Sequence, residues 1–150
     1  MDLQEISDRI EITDLLSRYA RGVDTQDWAL WRSVFTPDAH LDYTSARGPA
    51  GYVETIARWL EGSFRAVVGA HHHITNVEVT VDGDEAEAVA LFWNPFRAAW
   101  REDFSAAGGY YRHRLVRTAD GWRSRELVED NRWIQNPPGM PPGMERAPQP

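Results

Sequence analysis

The chain has 150 residues, a length that suits one domain with one core and argues against two. Its 16 basic and 23 acidic residues give a formal charge of −7, which argues against a nucleic-acid or anionic-membrane surface, because such partners select basic patches. Cysteine is absent and every cation is an arginine, so disulfides, thiolate catalysis, thiolate metal sites and Schiff bases are excluded.

Proton or nucleophile chemistry is left to His, Asp, Glu, Tyr, Ser and Thr. Seven tryptophans suggest a pocket walled by rings, with a tryptophan-rich core as the plainer explanation of any single one. Arg112, Arg114, Arg117, Arg123 and Arg125 cluster, but Glu126, Glu129 and Asp130 follow them, which fits a solvated strand face. No apolar run reaches transmembrane length and the N-terminus is acidic, so a soluble cytoplasmic protein is expected.

From Leu3 to Val23, Ile6, Ile10, Leu15, Leu16, Tyr19 and Val23 recur at helical spacing. Asp24 follows one turn beyond Ala20, near the buried face, where a carboxylate opposes the helix dipole unless something else holds it; otherwise it caps the next helix. That helix is predicted over residues 26–35, with Trp28, Trp31, Val34 and Phe35 in one stripe and Pro37 ending it. Residues 39–43 alternate like a strand, with Leu41 and Tyr43 on one side, and a third helix is predicted from about Gly51 to Leu60, with Gly62 as its stop.

Beyond Gly69 the period becomes that of strands. Residues 71–81 and 85–96 flank an Asp82-Gly83 turn, and residues 108–118 and 122–133 flank Asp120-Gly121, which predicts two long antiparallel hairpins. Helices first and paired strands afterwards give the α+β class. The domain is expected over residues 1–136. Residues 137–150 hold six of the nine prolines and are expected to be either a disordered end or an arm over a neighbouring subunit.

The chemistry centres on His71, His72 and His73 at the start of a strand. Alternation puts His71 and His73 in phase with Val77, Val79 and Val81, so periodicity alone makes theirs the buried face. Turning His72 inward requires a bulge, or a sheet covered on both sides. A metal shared by His71 and His73 has no supporting motif and is not expected.

Five motifs, in order, carry a resemblance: Tyr19 to Trp28, Phe35 to Tyr43, His72-His-Ile-Thr-Asn76, Asp82-Gly-Asp84 and Asp120-Gly-Trp122. Together they resemble the SnoaL-like branch of the nuclear transport factor two-like superfamily, which includes scytalone dehydratase, bile-acid 7α-dehydratase and hexachlorocyclohexane dehydrochlorinase. The resemblance runs from the first helix to about Trp133. It implies a cone-shaped, curved, antiparallel-rich sheet around a pocket, closed by the N-terminal helices, and a homodimer or homotrimer.

Carried over by position, it implies a catalytic histidine at His72, its aspartate at Asp24, pocket tyrosines at Tyr19 and Tyr43, and an arginine at Arg132. Val23 and Phe96 stand where scytalone dehydratase has a second tyrosine and a second histidine, and the further acidic residue of the bile-acid enzyme falls near Asn94 or Pro95. Trp28, Asn94, Phe96, Tyr110 and Trp133 complete the candidate substrate contacts. No cofactor is implied. The reaction implied is removal of a carbon-bound proton from a small hydrophobic, cyclic substrate, followed by loss of water or halide or by reprotonation. Alternatives are a non-catalytic scaffold subunit and a polyketide cyclase or ketosteroid-type isomerase.

Overall fold

The computed structural model describes residues 1–144. Helix α1 spans Leu3–Asp24, opened by Asp2, whose side chain accepts the Glu5 N–H. Its buried stripe is Ile12, Leu15, Leu16, Tyr19 and Val23, whereas the predicted Ile6 and Ile10 stay exposed. The reason lies at Asp8, a buried carboxylate that accepts two bonds from Arg117 (2.6 and 2.9 Å) and one from Trp122 Nε1 (3.1 Å). An ion pair and an indole, in place of leucines, fasten the first half of the helix.

Helix α2 is a single turn and a half, Trp28–Arg32, shorter than the sequence suggests. Strand β1 begins already at Phe35 and runs to Asp42, so Pro37 lies inside a strand and does not end a helix. The pairing of β1 shifts between Phe35 and His40, and such an irregularity tolerates a residue without an N–H. Gly22 lets α1 and α2 touch, since a Cβ there would stand 2.8 Å from the Trp31 nitrogen. Beyond a 3₁₀ turn (Thr44–Ala46) and strand β2 (Ala50–Tyr52), helix α3 covers Val53–Phe64, with Gly62 inside it.

The remaining strands are β3 (Val67–Ala70), β4 (His73–Asp82), β5 (Glu85–Ala98), β6 (Ser105–Thr118) and β7 (Gly121–Gln135). The two hairpins form as predicted, with Gly83 (φ +60°) and Gly121 (φ +91°) at turn positions that favour glycine. The short strands β2 and β3 were not anticipated. The sheet order is β2-β1-β7-β6-β5-β3, with β4 continuing β3 along β5, and β1 alone pairs in parallel, with β7. Register shifts in β4–β5 and β6–β7 add twist and curl the sheet into an α+β cone around α1 and α3.

The concave face holds the core: Leu41, Ala88, Ala90, Phe92, Leu115, Trp122 and Leu127 meet α1 and α3 there. Each fully buried aliphatic or aromatic side chain contributes about 1.5–3 kcal/mol. Among the described residues no helix is long and apolar enough to cross a membrane. The proline-rich segment starts by folding back on its own chain, where Trp100 Nε1 donates to the Pro138 carbonyl (3.0 Å) and Asn136 Nδ2 to Asp103 (2.7 Å). The rest of the expected tail, residues 145–150, lies outside the described residues.

Candidate active site

His72 occupies the break between β3 and β4, at the edge of the sheet. On either side of it the chain bonds to β5, with His71 N–H donating to the Pro95 carbonyl (3.0 Å) and His73 paired with Trp93. The His72 N–H turns away from β5, and Asp24 at the end of α1 accepts it (2.9 and 3.1 Å to its two oxygens). The same carboxylate reaches the His72 ring, with Nδ1 2.6 Å from Oδ1. A carboxylate only accepts, so Nδ1 carries the proton and Nε2 keeps a lone pair.

What turns His72 inward lies four residues on. Asn76 sits at φ +50° and the β4–β5 register slips between Thr75 and Glu78, so the alternation changes phase there. Val79 and Val81 face the core on one side of the bulge, Ile74 and His72 on the other. His71 and His73 are exposed, and the His73 ring lies against Trp93 on the outer face (5.2 Å). Among the described residues no group of three or more His, Asp or Glu side chains could hold a metal ion.

The His72 ring forms part of the wall of a cavity of about 210 Å³ between the concave sheet, α1 and α3. Val23, Leu60, Phe64, Phe92, Phe96 and Ile134 make it largely apolar. Its polar groups are few. The Tyr19 and Tyr43 hydroxyls bond each other (2.8 Å), and Tyr111 stacks on Phe92 (4.4 Å) with its edge towards Tyr19 (5.1 Å). Burial pushes all three phenols well above their ordinary range, so they remain neutral donors. Asn94, Asn131 and Glu129 complete the set, and Asn94 Oδ1 is buried without a partner.

Glu129 is 8% exposed, and desolvation raises its carboxyl to about 7, with the Asn131 amide pulling weakly the other way. Its main chain is held by Ser45, whose hydroxyl donates to the Glu129 carbonyl and accepts the Asn131 N–H (2.9 Å). His113, behind the tyrosines, donates from Nδ1 to Ser124 Oγ (3.0 Å), because Ser124 spends its own proton on the Glu126 carbonyl. Burial holds the His113 imidazole down to about 3.

Of the residues singled out in the sequence, Tyr19, Tyr43, His72, Asn94 and Phe96 meet in this cavity, with Asp24 directly behind His72. Arg132 does not. The β6–β7 register slips at Gly108/Gly109, opposite Asn131 and Trp133, which leaves Arg132 unpaired in the ladder and aimed outward, bonded to Asp130 (2.8 Å) over the Tyr110 ring. Tyr110 faces outward by the same alternation that turns Tyr111 in. Trp133 is 45% exposed and lies against Gly108 on the convex face, while Ile134 lines the cavity. Trp28 is a packing residue, edge-on to Trp31 (6.4 Å) and Phe64 (5.8 Å).

The sequence reading missed the apolar wall, such as Phe92 and Ile134, and, among the residues with polar groups, Tyr111, Glu129, Asn131 and Trp59. For Tyr111 the signal was present, since it shares a face with His113 and Leu115 at i, i+2, i+4. For Glu129 it was ambiguous, because Leu127 and Val128 are both apolar and leave the phase of β7 open.

Residues 4–128 match the SnoaL-like domain family. An uncharacterized protein of Mycobacterium tuberculosis (strain ATCC 25618 / H37Rv) is 37% identical over 133 residues, 86% of this chain and 88% of its own. Among solved structures, the Kfla4162 protein from Kribbella flavida superposes with a TM-score of 0.80 at 30% identity, covering 88% of this chain and 95% of that one. The hexachlorocyclohexane dehydrochlorinase LinA-type3 from Novosphingobium barchaimii LL02 superposes with a TM-score of 0.75 at 18% identity, over 99% and 100%, a likeness of fold. A matched segment that spans most of the chain, with the helices, curled sheet and walled cavity described above, places this protein in the SnoaL-like domain family.

Proposed function

We propose that the protein is a cofactor-independent lyase or isomerase, of the dehydratase or dehydrohalogenase type, in which His72 removes a carbon-bound proton from a small hydrophobic, cyclic molecule. The observation that carries this is the 2.6 Å contact between Asp24 and His72, side chains 15% and 5% exposed, in the wall of an apolar cavity. Asp24 fixes the tautomer and stabilises the imidazolium that forms, so His72 Nε2 accepts the proton. Such a base contributes about 10²–10⁴-fold. The neutral hydroxyls of Tyr19, Tyr43 and Tyr111 stabilise charge that develops on the substrate oxygen.

Pockets for drug-sized ligands measure about 300–1,000 Å³, so a 210 Å³ space suits a compact ring system. A scaffold subunit has no use for a carboxylate–imidazole pair in a cavity wall, which favours the enzyme. Self-association as a dimer or trimer belongs to the same reading. Trp93 (46% exposed) and Trp133 stand on the convex face, and a monomer mass by light scattering would remove that part.

The test is proton exchange on cyclic ketones in D₂O, followed by NMR. The wild type should exchange deuterium at the carbon next to the carbonyl, and His72→Ala should not. Equal exchange by both proteins rules out His72 as the base.

A further inference from the structure

His72 accounts for one proton, and the cavity holds a second acid–base group that the dyad does not use. Glu129 projects from β7 in phase with the buried Leu127, and among the described residues no arginine reaches its carboxyl. The adjacent Asp130, on the opposite face, takes both Arg112 (3.3 Å) and Arg132 (2.8 Å). An acid placed among phenols and aromatic rings, with no cation beside it, is favoured in its protonated form. The titratable groups that share the cavity with it are Tyr19 from α1, Tyr43 just past β1, Tyr111 from β6 and His72 from the β3–β4 break, and the Asn131 amide bonds it from its own strand.

We propose that Glu129 is the catalytic acid of this site, giving its proton to the oxygen that leaves, and that the substrate is therefore a neutral cyclic alcohol that loses water. The inference rests on the base role of His72 proposed above and narrows the leaving group. His72 Nε2 takes the proton from carbon and the C–H electron pair becomes the new π bond. The C–O bond breaks with its pair on oxygen, oxygen takes the Glu129 proton, and water departs. The imidazolium then releases its proton and the carboxylate regains one through solvent, so the sum is alcohol to alkene plus water.

A halide needs no proton to leave, whereas hydroxide is a poor leaving group without one. Asn94 points the same way, because its unpartnered Oδ1 can accept from a hydroxyl hydrogen that a halide lacks. A buried acid with no cation beside it is therefore redundant in a dehydrohalogenase and necessary in a dehydratase.

The experiment compares β-hydroxycyclohexanone with β-chlorocyclohexanone on wild type, Glu129→Gln and His72→Ala, between about pH 5 and about pH 9. Glutamine keeps the shape and a hydrogen-bond donor but has no proton to transfer. Glu129→Gln should lose about 10²–10⁴-fold on the alcohol, a loss of general-acid size, and at least about tenfold less than that on the chloride. The wild type should lose activity on the alcohol above about 7, and the variant should lack that limb. His72→Ala should lose both reactions.

Equal losses on both probes, or none on the alcohol, overturn the acid role while the base stands. A wild type that expels chloride but not water does the same. A wild type that exchanges no deuterium with either ketone overturns the base, and the acid with it.

Discussion

The Asp24 carboxylate binds His72 twice, at its main-chain N–H and at its ring Nδ1. One contact caps an edge-strand amide that the sheet leaves unpaired, and the other sets the tautomer, so a single side chain joins the helix end to the sheet and prepares the base. The unfavourable position of Asp24 against the helix dipole is offset by these two contacts.

Replacing Asp24 separates the two contacts. In Asp24→Asn the amide oxygen can still accept the backbone N–H, but its NH₂ facing Nδ1 moves the ring proton to Nε2 and removes the lone pair that does the work. Deuterium exchange on a cyclic ketone should fall by about 10²–10⁴-fold, with the thermal midpoint nearly unchanged. Asp24→Ala should lose the same activity and in addition about 1–3 kcal/mol of stability, because the His72 N–H is left unsatisfied. Paired activity and urea-melt measurements check both halves, and an active Asp24→Asn rules out the tautomer argument.

Asn76 determines whether His72 faces the cavity at all. A residue other than glycine at φ +50° costs about 1–2 kcal/mol, least for asparagine. Asn76→Gly should therefore retain activity and midpoint, whereas Asn76→Val should lose roughly that stability and most turnover as the bulge shifts. Denaturant midpoints and exchange rates of the two variants decide it. A fully active valine variant would mean that His72 is placed by something other than the bulge.

That bulge also marks the boundary of what the residues alone disclose. Hairpins, helix α1 and the cavity tyrosines Tyr19 and Tyr43 follow from periodicity, Gly turns and a family resemblance. His72 faces inward against its strand's own alternation, and nothing in His-Ile-Thr-Asn states that Asn76 will adopt a positive φ. Arg132 and Trp133 lie outside the cavity for the same physical reason, a register slip opposite Gly108 and Gly109. Trp28 shows the other failure, since an indole on an amphipathic stripe reads alike whether it meets a ligand or Phe64. Asp8 was invisible because a carboxylate at a core position becomes intelligible only once Arg117, 109 residues away, stands beside it.

The buried His113 and Glu129 give opposite pH dependences of stability. His113 titrates near its ordinary 6.5 when unfolded and at about 3 when folded, so between these values the unfolded chain binds more protons and acid costs stability. Glu129 titrates near 4.5 unfolded and about 7 folded, so in that window the folded chain binds more protons and stability falls as pH rises. Thermal midpoints from about pH 4 to about pH 8 should rise more steeply across the Glu129 window in Glu129→Gln than in wild type, and the glutamine variant should be the more stable above about 7. His113→Asn should flatten the acid limb. Parallel curves for wild type and both variants would contradict the burial assigned to these groups.

Asp8 and Arg117 should govern stability without governing chemistry. Their bidentate contact lies 16 residues before Asp24 on the same helix, about 24 Å away at 1.5 Å per residue. Asp8→Ala leaves Trp122 Nε1 without its acceptor and Arg117 with only Asp84 and the Gly83 carbonyl as acceptors. The thermal midpoint should drop by several degrees, whereas ketone exchange measured well below it should remain within about twofold of wild type. Because the Arg117 guanidinium holds the Asp8 carboxyl well below its usual range, this stabilisation is present above the unfolded value of 3.8 and is lost only as acid falls through that depressed range. The midpoint deficit of Asp8→Ala should therefore persist unchanged from neutral pH down to about 4 and shrink below it. A deficit that instead vanishes near neutrality would show that the contact is not what holds the helix to the sheet.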